Sequence, residues 1–116
     1  MWRDDATLLD ILRAARLALD FRGGLDKAGF LTDLKTQAAI LHELLVIGEA
    51  AKRLSSTFRE AYSDVPWKAI AGMRDRLLHG YDDVDLDLVW KTVDEDVPAL
   101  VKRLEGLAPR REPWQP

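Results

Sequence analysis

Apolar residues recur at every third or fourth position along most of this chain, as in helices that bury one face. The first such stretch comprises Leu8, Ile11, Leu12, Ala15, Ala18 and Leu19. It predicts a helix that Asp4 or Asp5 caps and that Gly23 and Gly24 end, because short acidic side chains favour helix starts and glycine favours helix ends.

A second, longer helix is predicted from Thr32 or Asp33 to about Leu54. Its apolar positions form two stripes, one of Leu34, Ala38, Leu41, Leu45, Gly48 and Ala51, the other of Ile40, Leu44 and Ile47. A single core contact needs only one stripe. The other stripe therefore predicts contact with a neighbouring subunit, and we expect a homodimer with twofold symmetry.

Two shorter helices are predicted next. Ser55 or Ser56 caps the first, which ends at Tyr62. Residues 64–66, Asp-Val-Pro, start the second, because the aspartate can accept free backbone N–H groups and proline suits a first turn. Gly80 is the expected terminator of this helix.

Asp85 opens a last helical region, which Pro98 is predicted to kink or restart. The tail, residues 109–116, is expected to be loosely ordered, so the helical domain is predicted to span residues 1–108. The sequence has no strand-like alternation. These patterns predict an all-α fold, a compact antiparallel bundle of four to five helices.

Some positions have predicted packing roles. Gly48 is expected to allow two helices to cross closely, and Trp67 and Trp90 are expected in the core. Glu49 and Arg53, four residues apart, predict an ion pair on one helix face.

The composition indicates one soluble domain of 116 residues, with 47% hydrophobic and 32% charged residues. Cysteine is absent, which excludes disulfides and thiolate metal sites. The first residues lack the layout of a signal peptide, and the longest mostly apolar run, residues 38–48, is too short to span a bilayer. We therefore expect a cytoplasmic protein with no membrane segment. We expect no cofactor and no metal, since glycine-rich phosphate loops and spaced metal ligands are also missing.

Candidate chemistry is concentrated in residues 72–81, where Arg74, His79 and Tyr81 follow an apolar helical pattern. Arginine is a permanent planar cation that binds phosphate oxygens, and histidine transfers protons near neutral pH. Together they can bind and cleave a phosphodiester without a metal. On a straight helix, Arg74 and His79 would point about 140° apart, whereas Asp75 shares a face with His79 and can orient its ring.

Two arrangements would bring Arg74 and His79 to one phosphate. Either the helix unwinds at residues 78–80, or the site combines the arginine of one subunit with the histidine of another. If the helical turn continues instead, Tyr81 returns to the face of Arg74, beside the phosphate.

Residues 73–81 resemble the Arg-x4-His-x-Tyr signature of the HEPN superfamily, in its HepT-like toxin branch. Residues 47–55 resemble the second-helix segment of that branch, and residues 65–67 with 85–90 resemble the sequence flanking its motif. The similarity covers nearly the whole chain up to about Leu107.

The resemblance implies a dimeric helical bundle that acts as a metal-independent ribonuclease toxin, with a minimal nucleotidyltransferase as its antitoxin. By resemblance, Arg74 binds and polarises the scissile phosphate of an RNA substrate, and His79 exchanges a proton with the ribose 2′-hydroxyl or the leaving oxygen. Asp75 fills the polar position after the arginine, where asparagine is frequent in the family, and its charge is expected to weaken RNA affinity. Tyr81 corresponds to the acceptor of AMP groups that the antitoxin adds, and this negative, bulky group would oppose RNA binding.

The same residues also have structural interpretations. Arg74 can instead pair with a nearby carboxylate. The candidates are Asp82, Asp83, Asp85 and Asp87. His79 can simply favour a helix C-terminus, and Tyr81 can anchor its loop through the ring. The corresponding functional alternative is a non-catalytic accessory subunit that binds substrate for, or docks with, a nucleotidyltransferase. The joint presence of Arg74 and His79 favours the ribonuclease, because an accessory role does not require both.

Charge qualifies this interpretation. The net charge of −3 and the acidic run at residues 82–87 argue against strong non-specific RNA binding. Arg53, Arg74 and Arg76 could still form a small positive cleft across a dimer. The acidic run either docks a basic surface of the antitoxin or restricts which RNA binds.

Overall fold

A computed structural model describes residues 2–80 and 83–107 of the chain. The α-helices are α1 (Trp2–Arg22), α2 (Lys27–Leu31), α3 (Leu34–Lys52), α4 (Ser56–Ala61), α5 (Trp67–Ala71), α6 (Met73–Leu77), α7 (Leu86–Lys91) and α8 (Val97–Glu105), with a π-helical turn (Thr92–Asp96) between the last two. Over these residues the only strand-like feature is a single antiparallel bridge between Leu78 and Val84. The predicted all-α fold is confirmed. The boundary at residue 108 stays a prediction, and the tail 109–116 lies outside the described residues.

Helix α1 buries the predicted apolar face and packs against α3 and α8. It ends at Gly23, whose φ of +55° is a left-handed conformation that glycine adopts without strain. The predicted cap was wrong, because the helix already begins at Trp2 and so contains Asp4 and Asp5. The buried carboxylate of Asp4 instead accepts hydrogen bonds from the N–H (2.9 Å) and hydroxyl (2.7 Å) of Ser55. This contact places the start of α1 beside the end of α3, so the two helices are antiparallel.

The short helix α2 was not predicted from the sequence. Asp26 caps it by accepting the N–H of Gly29, and Phe30 is its one buried residue. Its five residues hold too few apolar positions to show a periodicity. Helix α3 then starts as predicted, with Asp33 accepting the N–H of Thr36 at 3.0 Å.

The two stripes of α3 differ in burial. The stripe of Ile40, Leu44 and Ile47 is wholly buried in the core. The other stripe is exposed at its start, where Leu34 is 78% exposed, and is buried towards its end at Gly48. A Cβ at position 48 would lie 3.1 Å from the carbonyl oxygen of Ile70, so the predicted close crossing is confirmed.

The predicted fourth helix is interrupted. Gly72 separates α5 from α6, and α6 ends at Leu77 rather than at Gly80. Pro66 stands at the cap position of α5 and no side chain caps that helix. The predicted capping residue, Asp64, instead pairs with Arg103 of α8 through two hydrogen bonds of 2.6 and 3.0 Å.

Asp85 caps α7 as predicted, accepting the N–H of Leu88 at 3.0 Å. The predicted irregularity at Pro98 takes the form of the π-helical turn, in which the N–H of Val97 bonds to the oxygen of Thr92 five residues back. Proline has no N–H to donate to the carbonyl four residues back. The helix therefore changes to the wider π-helical hydrogen-bonding pattern just before it.

The core and surface predictions had mixed outcomes. Trp67 is buried, whereas Trp90 is only partly buried, with its ring 5.5 Å from that of Phe30. The prediction of a Glu49–Arg53 ion pair is wrong, because Glu49 pairs with Lys52 at 3.1 Å and Arg53 contacts Asp10 at 3.8 Å. Among the helices described, none is long and apolar enough to cross a membrane.

Candidate functional site

The candidate site lies where α6 ends and the chain turns back toward α7. Leu78 adopts an extended conformation (φ −116°, ψ 121°) and forms the bridge with Val84. Two further backbone hydrogen bonds of 2.8 Å close the turn, from the N–H of His79 to Asp83 and from the N–H of Asp85 to Leu77. The buried side chain of Leu77 anchors the turn to the core.

This turn bears on one of the two arrangements expected for Arg74 and His79, and the arrangement that combines two subunits stays a prediction. The helix does unwind after Leu77, so His79 no longer follows the helical rotation that would point it away from Arg74. The N–H of Leu78 still bonds to the carbonyl of Arg74 at 3.0 Å, which keeps the two motif residues at one helix end.

Arg74 is exposed on α6. Two of its four expected acidic partners contact other side chains: Asp85 contacts His79 at 3.5 Å, and Asp87 contacts Lys27 at 3.1 Å. Within the described part of the chain, no carboxylate lies within 4.0 Å of the Arg74 guanidinium, and Asp82 falls outside that part. Arg74 is an exposed residue, and an exposed guanidinium can bind an anion.

His79 has a half-exposed side chain, and its Nε2 lies 3.5 Å from Oδ2 of Asp85. Asp75 was expected to orient this ring from one helical turn below, but that geometry requires a helix continuing to residue 79. With the helix ended at Leu77, the neighbouring carboxylate comes from Asp85 instead, and Asp75 is an exposed residue of α6.

Electrostatics favour an ionised carboxylate beside His79. The N–H of Leu88 lowers the pKa of the Asp85 carboxyl below its ordinary value, and the hydrogen bond with His79 acts in the same direction. Partial burial opposes both effects but does not outweigh them.

The sequence analysis missed this pairing, although it carried a signal. Leu78 and Val84 are apolar residues six positions apart, and Gly80 lies between them with acidic residues that favour turns. Such a pattern predicts a chain reversal, which brings residue 85 back towards residue 79.

The contacts of Arg53 and Arg76 lie outside the turn that holds His79 and Asp85. Tyr81 lies outside the described residues. Arg76 donates a hydrogen bond to the carbonyl of Ala69 at 3.0 Å, and Arg53 contacts Asp10 of α1. Over the described residues, the cleft that Arg76 lines includes neither Arg53 nor Arg74, and the positive cleft expected across a dimer stays a prediction.

A cleft of about 480 Å³ lies between α5, α6 and α8. Its walls are mostly apolar and include Met73 and Arg76, but neither Arg74 nor His79. The motif therefore occupies the open surface of the turn rather than this concavity. In the described ranges, no three histidine or acidic side chains lie close enough together to hold a metal ion.

The family model that matches this chain and two similar known proteins carry the same kind of description. A family model described as "Ribonuclease HepT-like" matches residues 11–107. The chain is 41% identical over 100 residues to "Probable ribonuclease HepT" of Thermococcus cleftensis, covering 86% of this chain and 91% of that protein. It is 38% identical over 100 residues to "Putative RNase MJ1380" of Methanocaldococcus jannaschii, covering 86% and 92% of the two chains. No solved structure matches the chain at a significant level.

Proposed function

Since this chain belongs to the HepT-like ribonuclease family, we propose that it is a ribonuclease that cleaves RNA at Arg74 and His79. The observation that carries the assignment to these residues is the turn after α6. It leaves the Arg74 guanidinium without an acidic partner among the described residues and holds His79 beside the carboxylate of Asp85.

The two side chains have complementary roles. Arg74 binds the scissile phosphate and stabilises the negative charge that grows on its oxygens. The ribose 2′-oxygen attacks phosphorus and loses its proton, the bond from phosphorus to the 5′-oxygen breaks, and that leaving oxygen gains a proton. His79 serves one of these two proton transfers. The nucleophile is part of the RNA itself, so the proposed reaction needs no metal-bound hydroxide.

The same proposal includes control by a partner. By resemblance, a minimal nucleotidyltransferase antitoxin transfers AMP from ATP to the phenol oxygen of Tyr81, with release of pyrophosphate. Tyr81 follows His79 by two residues. A phosphate attached there adds negative charge beside the place proposed for the RNA phosphate, and repulsion then lowers RNA affinity.

We also propose that the active form is a homodimer. Helix α3 leaves Leu34 and Ala38 exposed, and Leu41 on the same stripe is only partly buried. A second copy of the chain would cover this stripe. The proposed site is then a composite one, in which the arginine of one subunit and the histidine of the other act on the same phosphate.

The test is cleavage of total RNA and of tRNA in the presence of a chelator by the purified, unmodified protein. We expect Arg74→Ala and His79→Ala each to lower the cleavage rate by about 10²-fold or more. Loss of one donor that stabilises transition-state charge costs about 10²–10³-fold, and a general acid or base contributes about 10²–10⁴-fold. Arg13→Ala and His42→Ala are matched controls, because both residues are exposed and neither belongs to the motif turn. Circular dichroism checks that all four variants are folded.

Full activity in either motif variant would place the active site elsewhere. No cleavage by the parent protein, with intact mass showing an unmodified Tyr81, would favour the accessory-subunit alternative.

A further inference from the structure

Asp85 uses its two carboxylate oxygens for two different contacts. Oδ1 accepts the N–H of Leu88 at 3.0 Å and so caps α7, while Oδ2 lies 3.5 Å from Nε2 of His79. Capping a helix needs only the first oxygen. The second oxygen is therefore available to act on the imidazole.

The carboxylate is held in place from both sides of the turn. The N–H of Asp85 donates to Leu77 at 2.8 Å, and the N–H of His79 donates to Asp83 at 2.8 Å. These bonds, together with the Leu78–Val84 bridge, fix the backbone of both residues relative to each other. The cap holds Oδ1 at the N–H of Leu88, and in this orientation Oδ2 faces the ring.

An ionised carboxylate only accepts hydrogen bonds. An imidazole nitrogen that faces it must therefore carry the proton, which leaves the other ring nitrogen with its lone pair. The separation of 3.5 Å is at the long end of a hydrogen bond, and both side chains are partly exposed. We accordingly expect a shifted balance between the two tautomers rather than complete exclusion of one.

We propose that Asp85 is a positioning residue, which holds the proton of neutral His79 on Nε2 and leaves Nδ1 to exchange a proton with RNA. The statement about RNA rests on the proposed ribonuclease function, whereas the statement about the ring does not. Asp85 itself touches neither substrate nor reacting atoms.

The variant Asp85→Asn tests this pairing and keeps the cap. Asparagine is as good an N-cap as aspartate, and only its amide oxygen can accept the N–H of Leu88. Its NH₂ group then stands where Oδ2 stood and donates to Nε2 of His79. An acceptor becomes a donor, so the favoured proton position should move from Nε2 to Nδ1.

Asp87→Asn is the matched control. It removes the same charge from the same segment, but Asp87 contacts Lys27 at 3.1 Å rather than His79. A second variant, Asp85→Ser, also keeps a capping oxygen but has no atom in the place of Oδ2. It should move the tautomer balance in the same direction as Asp85→Asn, by a smaller amount.

The first measurement is the ¹⁵N chemical shifts of the imidazole nitrogens in histidine-labelled protein, at alkaline pH where imidazole is neutral. The variant His42→Gln assigns the signals, because the chain has only two histidines. We expect the Nδ1–H population of His79 to rise severalfold in Asp85→Asn and to stay unchanged in Asp87→Asn. An unchanged tautomer balance in a folded Asp85→Asn variant would overturn the positioning role, whatever the activity.

The second measurement is RNA cleavage by the same proteins. We expect kcat to fall in Asp85→Asn with little change in KM, since the phosphate-binding Arg74 is untouched, and Asp87→Asn to keep the parental kcat. A tautomer change without a fall in kcat would uphold the contact with the ring but overturn the use of Nδ1 in proton transfer. A parent protein that cleaves no RNA would overturn the proposed function, and the ¹⁵N shifts would still decide whether Asp85 positions the ring.

Discussion

Asp4 connects two parts of the chain that are far apart in sequence. Its carboxylate is 3% exposed and accepts both the N–H and the hydroxyl of Ser55. The Ser55 hydroxyl in turn accepts the N–H of Phe58 and caps α4. One buried carboxylate thus ties the start of α1 to the start of α4.

These contacts predict a pH-dependent stability. The hydrogen bonds from the Ser55 N–H and hydroxyl lower the pKa of Asp4 below its ordinary value. Because the folded pKa is lower than the unfolded value of about 3.9, the stabilisation is complete above that pH and is lost as the pH falls through the folded pKa.

We expect Asp4→Ala to reduce the free energy of unfolding at pH 7 by about 1–3 kcal/mol, the usual cost of leaving buried polar groups without a partner. Asp4→Asn should cost less, since its amide oxygen can still accept one of the two hydrogen bonds. Urea unfolding at pH 7 and at pH 3 measures both effects. The gap between the parent and Asp4→Ala should narrow at the lower pH, and an equal gap at both would contradict the assigned role of the carboxylate.

At the scale of elements, the position of α6 depends on the crossing of α3 and α5. Gly48 of α3 lies against the backbone of Ile70, and a Cβ there would also lie 3.6 Å from the Cβ of Met73. Met73 immediately precedes Arg74. A change in this crossing therefore displaces the helix that carries the candidate arginine.

We expect Gly48→Ala to destabilise the protein by about 1 kcal/mol, because the strain of a close contact with a backbone carbonyl exceeds the gain in helix propensity. Gly72→Ala is the control, since a Cβ there would meet only ordinary contacts at 3.4 Å or more and its φ of −88° suits any residue. It should be neutral or slightly stabilising. Thermal unfolding measures both variants, and a Gly48→Ala protein as stable as Gly72→Ala would show that the crossing can relax.

At the scale of the whole molecule, the helices contact one another through the apolar core and through ion pairs at the surface. Arg16 pairs with Glu105 at 2.8 Å and Arg22 with Asp94 at 2.7 Å, both joining α1 to the C-terminal helical region. Such partly exposed pairs contribute little stability individually. Burial of the apolar faces of α1, α3 and α8 is the larger contribution.

The exposed stripe of α3 predicts an effect on assembly. The double variant Leu34→Asp/Ala38→Asp should remain folded, because both residues are exposed, but should shift the protein from dimer to monomer. Two negative charges in an apolar interface cost more than the contacts they replace. Sedimentation velocity over a range of concentrations measures the shift, with Phe21→Asp as the control on another exposed apolar residue, 39% accessible. Equal dimer populations in parent and double variant would exclude this face as the interface.

The sequence by itself determined the features that depend on neighbouring residues. The two apolar stripes of α3, the cap at Asp85 and the stop at Gly23 follow from periodicity or from the chemistry of a single residue at a helix end. The caps of α3 and α4 were each narrowed to two neighbouring residues, and the structure selected Asp33 and Ser55. The family signature is local in the same way, since it is read within residues 73–81.

Only the tertiary structure decided which polar side chains pair with residues distant in sequence. Asp4 and Asp64 were expected to cap their own helices, yet they bind Ser55 and Arg103 from distant segments. The partner of His79 changed for the same reason, because the chain reverses after Leu77 and presents Asp85 instead of Asp75. Periodicity describes one helix at a time, whereas a carboxylate pairs with whichever donor the packed chain brings within about 3 Å.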